Sequence, residues 1–270
     1  MLFRVGLFLV TAISCVGAAA AAEPAPLTPA QIAGAIKTDT VTIPTPGELF
    51  AALGKPGKPN WAQQYRPPIP TTYSNRAQIA LNLGGLIADG FIAVEAQDSQ
   101  QVKNTGADII KLAKALGVSE NVLSRGKSIN EFAENGQWDA LQEELEATQN
   151  EVKTSMQSNN DQDFVILVSV GGWIRGTQVV SGSVVQDYNE ESARTLRQPA
   201  LVTYIQKKIN DITPALRDQP LVQTVSAQLS EIQTLVTFPN GGTPTAEEVR
   251  KLNGAVGKLM EEIQKKVDTK

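Results

Sequence analysis

The sequence predicts an all-α protein, a multi-helix bundle around two central glycine-bearing apolar helices. Apolar residues recur at helical spacings through most of the chain after Thr71. No stretch sustains the strict alternation of a half-buried strand, and glycine and proline fall between helical segments rather than at hairpin spacing.

Taken in chain order, residues 1–22 read as an export signal. Arg4 gives a short basic start, Val5 to Val16 an apolar core, and Ala18 to Ala22 a small-residue run suited to cleavage before Glu23. Two rivals stay open: a membrane anchor, for which the apolar run is short, and acylation at Cys15, where Ala12-Ile13-Ser14-Cys15 is an imperfect lipoprotein box. Residues 23–54 hold two short helices, near 29–36 and 46–53, because Thr28-Pro29-Ala30-Gln31 and Thr45-Pro46-Gly47-Glu48 each offer a cap, an N1 proline and a reciprocal third residue. Residues 55–70 contain five prolines, which forbid regular helix and sheet ladders, so they form a strap or linker. Trp61 and Tyr65 favour a strap docked on the body; the alternative makes Trp61, Tyr65 and Arg66 a contact for a protein partner.

The bundle proper spans residues 71–238. A helix starting at Asp98-Ser99 ends at Gly117, Ser128-Ile129-Asn130-Glu131 offers another capping box, and further helices run over 198–211 and 220–236. Trp138, Leu141, Leu145, Thr148, Val152 and Met156 make the cleanest helical stripe, with Glu143, Glu144, Glu146, Glu151 and Lys153 off it. After a linker at 239–244, residues 245–270 form an amphipathic helix with the stripe Val249, Leu252, Val256, Leu259, Ile263 and Val267. That stripe packs either on its own bundle or on a second copy or another envelope protein, since such a helix is marginal alone.

The central pair, 79–97 and 164–186, is apolar on nearly all sides. Each interior glycine costs a helix about 0.8–1 kcal/mol relative to alanine. Gly84, Gly85, Gly90, Gly171, Gly172 and Gly176 therefore mark either close helix packing or a face opened for a ligand. Ala80, Gly84 and Ala88 form one small-residue ridge, Gly172 and Gly176 another. Asp89 and Arg175 are lone charges in these settings, so they are expected to pair or share a polar network, with Glu95 a further partner. The same charges, with Asn82, Ser169, Thr177 and Gln178, argue against membrane spans.

Composition narrows the chemistry. The chain has no histidine, and its single cysteine is Cys15, which excludes Ser-His-Asp and Cys-His catalysis, His-ligated metals, redox cysteine pairs and intrachain disulfides. No cofactor or metal is expected: the glycine pairs sit inside helices rather than after strands, and the Glu-rich run lacks a calcium-loop spacing. The net charge of −4 argues against nucleic acid as the main partner. Glu95, Asp89 and Glu48 are the acids in the least charged surroundings, but no motif singles one out as catalytic.

The segments YRPP (65–68), IALNLGGLIADGFIAVEAQD (79–98), IKLAKALGV (110–118), WDALQEELEATQNEV (138–152), VGGWIRGT (170–177) and LRQPALV (196–202) resemble a group of exported all-helical bacterial proteins of unassigned function. The resemblance covers residues 45–236 and implies a common helical body, without substrate, cofactor or catalytic residue. The expected role is a non-catalytic binding or scaffolding protein of the bacterial cell envelope, exported to the periplasm or lipid-anchored through Cys15. The alternatives are a carboxylate-dependent enzyme acting on envelope glycan and a small-ligand carrier with its cavity between the glycine faces.

Overall fold

The computed structural model describes residues 43–54, 59–238 and 242–265. The leader with Cys15, the 29–36 helix with its Thr28 cap, and Val267 lie outside the described residues. Among the described residues the protein is all-α. In order it has α1 (Pro46–Gly54), a 3-10 turn (Trp61–Gln64), α2 (Arg76–Glu95), α3 (Ser99–Ala115), α4 (Glu120–Ser124), α5 (Gly126–Glu134) and α6 (Trp138–Ser158). There follow α7 (Gln162–Gln186), α8 (Glu190–Arg194), α9 (Pro199–Asp211), α10 (Pro214–Arg217), α11 (Pro220–Thr237) and α12 (Ala246–Gln264).

The helices begin and end where side chains satisfy their free backbone groups. Thr45 and Glu48 cap α1 reciprocally: Thr45 Oγ1 accepts from Glu48 N–H at 3.2 Å and Glu48 Oε2 accepts from Thr45 N–H at 2.6 Å. Thr245 and Glu248 do the same for α12. The Ser128 box does not form. Here α5 has already begun at Gly126, and Ser128 Oγ instead donates to the Arg125 carbonyl at 3.3 Å. The ends of α2, α3, α5 and α6 share one closure, a left-handed residue at 97, 117, 136 or 160 flanked by a bond back to the last turn. At α3 the N–H groups of Gly117 and Val118 donate to the carbonyls of Lys114 and Ala113.

Helices α2 and α7 are the axis of the molecule. α3 packs on α2 and carries α5, while α6 packs on α5, α7 and α2; α12 packs on α7, followed by α11 and α9. Both axial helices are long and apolar enough to cross a membrane, but their most apolar windows are 94% and 72% buried inside the protein. The stripe of α12 from Val249 to Ile263 is buried in the same core as the bundle, against α7 and α11. Its last free carbonyls meet α2: Gln78 Nε2 donates to the carbonyls of Ile263 (2.9 Å) and Lys265 (2.6 Å), and Asn82 Nδ2 to that of Ile263 (2.9 Å). Two amides in an otherwise apolar helix are thus explained as caps for a helix far away in sequence.

Candidate functional site

Three features of the axis could carry function: a buried charge network, the glycines, and a cavity. In the network, Arg175 Nε donates to Asp89 Oδ1 at 2.8 Å, with Asp89 9% and Arg175 3% exposed. A third member comes from the strap, where Arg66 Nε and Nη2 donate to Asp89 Oδ2 at 2.7 and 2.5 Å. Arg175 then reaches the strap backbone, its Nη2 donating to the Gln64 carbonyl at 2.6 Å, while its Nη1 donates to Gln178 Oε1 at 2.9 Å. Burial lowers the affinity of Arg66 for its proton, and Asp89 opposes that effect. Two guanidiniums on one carboxylate, fixed from two helices and a strap, make a structural staple, since every oxygen of Asp89 is already engaged.

The strap is spent on this staple. Trp61 is buried against Phe50, with ring centroids 5.2 Å apart, and Tyr65 OH donates to Asp98 Oδ2 at 3.4 Å. Burial and Asp98 push the Tyr65 hydroxyl up to about 12. Trp61, Tyr65 and Arg66 therefore face inward rather than toward a partner, because their apolar area and charge are taken up by the body. Glu95 stands apart from the network, half-buried near the end of α2, and burial holds its carboxyl above the usual carboxylate range. The folded state thus keeps the Glu95 proton to higher pH than the unfolded chain, so stability falls as pH rises through that window. Glu95→Gln is expected to raise the urea midpoint near pH 7 while matching the wild type near pH 4, below the ordinary ionisation of glutamate. Equal differences at both pH values would count against it.

The glycines serve different neighbours. A Cβ on Gly84 would lie 1.9 Å from the Val168 carbonyl oxygen, and one on Gly171 would lie 2.0 Å from that of Leu81. At these two positions α2 and α7 touch backbone to backbone, leaving no room for a ligand between them. Gly172 lies on that same contact, 2.6 Å from a Cβ on Gly84, and also admits α1, its own added Cβ meeting Pro46 at 3.3 Å and the Gly84 carbonyl oxygen at 3.4 Å; Gly176, expected there too, instead meets Leu49 of α1, at 2.8 Å. Gly85 gives room to Met260 and Arg66.

The open space lies on the other flank of α2. A cavity of about 90 Å³ sits between α2, α3, α5 and α6, lined mainly by apolar groups such as Leu83, Phe91 and Val152, with Asn130, Thr148 and Gln149 also on its wall. Gly90 and Gly106 lie on its wall. A Cβ on Gly90 would make only ordinary contacts, the nearest 3.5 Å away, and one on Gly106 would meet nothing within 4 Å. Ile87 and Gln149 line both this cavity and a smaller recess whose other walls include Pro46, Gly172 and Lys153. Sequence reasoning counted Gly90 among the glycines that need a reason but did not place the cavity. Gly106 and Gly90 fall on faces that helical spacing alone assigns to the core, and the far wall comes from α5, whose start was misplaced.

The remaining acids are engaged or exposed. Glu48 caps α1, and Arg125 binds Glu144 at 2.9 Å and Glu151 at 2.6 Å, tying α5 to α6. Among the described residues no three carboxylates gather closely enough to hold a metal ion. No family model matches the chain, and neither a curated protein nor a solved structure does.

Proposed function

We propose that the protein is a non-catalytic binding protein of the bacterial cell envelope, exported by its leader, and that the cavity between α2, α3, α5 and α6 takes a small apolar ligand. The observation that carries the reading is a largely apolar cavity bounded by glycines at which alanine would fit. An empty space of about 90 Å³ forgoes roughly 2 kcal/mol of packing. Glycine in place of alanine at positions 90 and 106 forgoes roughly another 2 kcal/mol of helix stability. A total near 4 kcal/mol is a large share of the stability of an ordinary domain, and a wall kept open at that cost fits a ligand better than a packing accident.

An envelope-glycan enzyme has less support, because Asp89 is held by two arginines and Glu48 by a helix start. A partner protein or second copy bound through α12 would meet its polar outer face, the apolar stripe being used within the chain.

The test uses 1-octanol as a neutral aliphatic probe. Saturating octanol is expected to raise Tm, since a ligand at 100 times its Kd stabilises by about 2.7 kcal/mol. Gly106→Leu, which fills the cavity from its own wall, is expected to be at least as stable as the wild type and to lose that response. No Tm response in the wild type, or an undiminished one in Gly106→Leu, would sink the assignment.

A further inference from the structure

We infer that the cavity between the proline strap and α3 is a second binding site, for a neutral sugar ring of hexose size. It goes beyond the apolar-ligand reading: the walls of the two cavities share no described residue, and they use different faces of α3.

Size is the first observation. The strap cavity measures about 210 Å³, and a space of roughly 150 Å³ already takes benzene. Pro67, Pro68 and Asn104 on its rim are exposed, so the hydroxyls of a six-membered ring can project from the mouth. The rim is set before a ligand arrives. Pro67 and Pro68 fix their own backbone, while Arg66 is held by Asp89 and Tyr65 by Asp98. Such a wall loses little freedom on binding.

The lining is the second observation. Leu86, Ile69 and the two proline rings offer carbon surface on one side. On the other, Gln101, Asn104, Thr105 and Asp108 bring polar atoms from a single face of α3, as their helical spacing requires. A pyranose has the matching form, with C–H faces and an edge of hydroxyls.

The charges select a neutral guest. Every charged group in the wall is already answered within the protein, Asp89 by Arg66 and Arg175, and Asp108 by Lys111 at 2.8 Å. What is left over is uncharged. The Asn104 oxygen accepts from Gln100 at 3.0 Å, which leaves the Asn104 amide hydrogens to give. The Gln101 amide donates to Thr105 Oγ1 at 3.3 Å, which leaves the Gln101 carbonyl oxygen to accept and the Thr105 proton to give. Thr105 is only 4% exposed, so that proton has little access to bulk water. A hydroxyl both donates and accepts, so a sugar can meet all three groups. A carboxylate would set its charge against Asp89 and Asp108, and a hydrocarbon would satisfy none of them.

Calorimetric titration of the whole protein with D-glucose, D-galactose and D-mannose tests the inference, with D-glucuronate and D-galacturonate as charged counterparts. At least one neutral sugar is expected to bind with a Kd of about 1 mM or tighter, and both acids about tenfold more weakly than the best of the three. Asn104→Ala, at the exposed mouth, and Thr105→Val, which keeps the side-chain shape, are each expected to weaken that sugar about fivefold, the scale of one neutral hydrogen bond. Asn104→Ala is expected to keep the wild-type urea midpoint and decides alone should Thr105→Val fail to fold. Saturating 1-octanol is expected to change the sugar affinity less than about twofold, since the two cavities have separate walls. Absence of binding by all three neutral sugars, or a sugar affinity untouched by Asn104→Ala, overturns the site. Tighter binding of either acid overturns the neutral assignment, and displacement of the sugar by octanol overturns the claim of a second site.

Discussion

Gly171→Ala is expected to cost at least about 3 kcal/mol, because the one methyl it adds is driven into the backbone of the neighbouring helix. The added Cβ would lie 2.0 Å from the Leu81 carbonyl oxygen and 2.7 Å from its carbon. Both are backbone atoms in the middle of α2, so no side-chain rotation relieves the clash. The helices must part, and the core packed around them must follow. Gly84→Ala meets the Val168 carbonyl at 1.9 Å and is expected to behave alike. The control is Gly90→Ala, chemically the same change and, like Gly84, on α2. Its Cβ finds ordinary contact at 3.5 Å, and it is expected to gain up to about 1 kcal/mol in helix propensity. Urea unfolding of the three variants checks the ordering; a Gly171→Ala protein of near wild-type stability would show that the two helices are not in backbone contact.

Asp89→Asn is expected to cost about 3–5 kcal/mol, because it leaves two inward-turned guanidiniums facing each other without their shared carboxylate. Arg66→Met should cost less, since Asp89 keeps its bond to Arg175 and only the strap loses its charged anchor. The three-membered arrangement also changes what a charge swap reports. With Asp89→Arg and Arg175→Asp combined, the new arginine at 89 would still confront Arg66, so the double variant is expected not to recover stability. Recovery in the swap, measured by urea midpoint, would mean that Arg66 contributes nothing to the staple.

The axis of the fold was legible because its constraints are local in sequence. A helix apolar on all sides must be central, and a lone Asp and a lone Arg in two such helices have few places to go but toward each other. The caps at Thr45, Asp98 and Thr245 were legible for the same reason: each is a short-range exchange of hydrogen bonds. What sequence pattern did not expose depends on partners brought from afar. Arg66 looked like a surface charge in a proline-rich segment, and only the docked strap makes it the second partner of Asp89. Gly172 and Gly176 share one ridge by helical spacing, although only Gly172 reaches Gly84 while α1 covers Gly176. The cavity was missed since an unfilled space has no residue of its own; its signal is a glycine such as Gly106 on the inward face of a helix, where nothing approaches it.

The amide caps that α2 gives to the end of α12 have a consequence for the order of events in the life of the chain. Gln78 donates to the Ile263 carbonyl, a partner 185 residues later in the sequence, and Asn82 reaches the same oxygen. Part of the cover of α2 therefore comes from a segment synthesised after every other described helix. Until it emerges, α2 lacks part of its cover, and non-local closure of this kind slows folding. A chain built this way stays partly open while it is being made, because one helix of its axis cannot be fully closed over until α12 exists to lie against it.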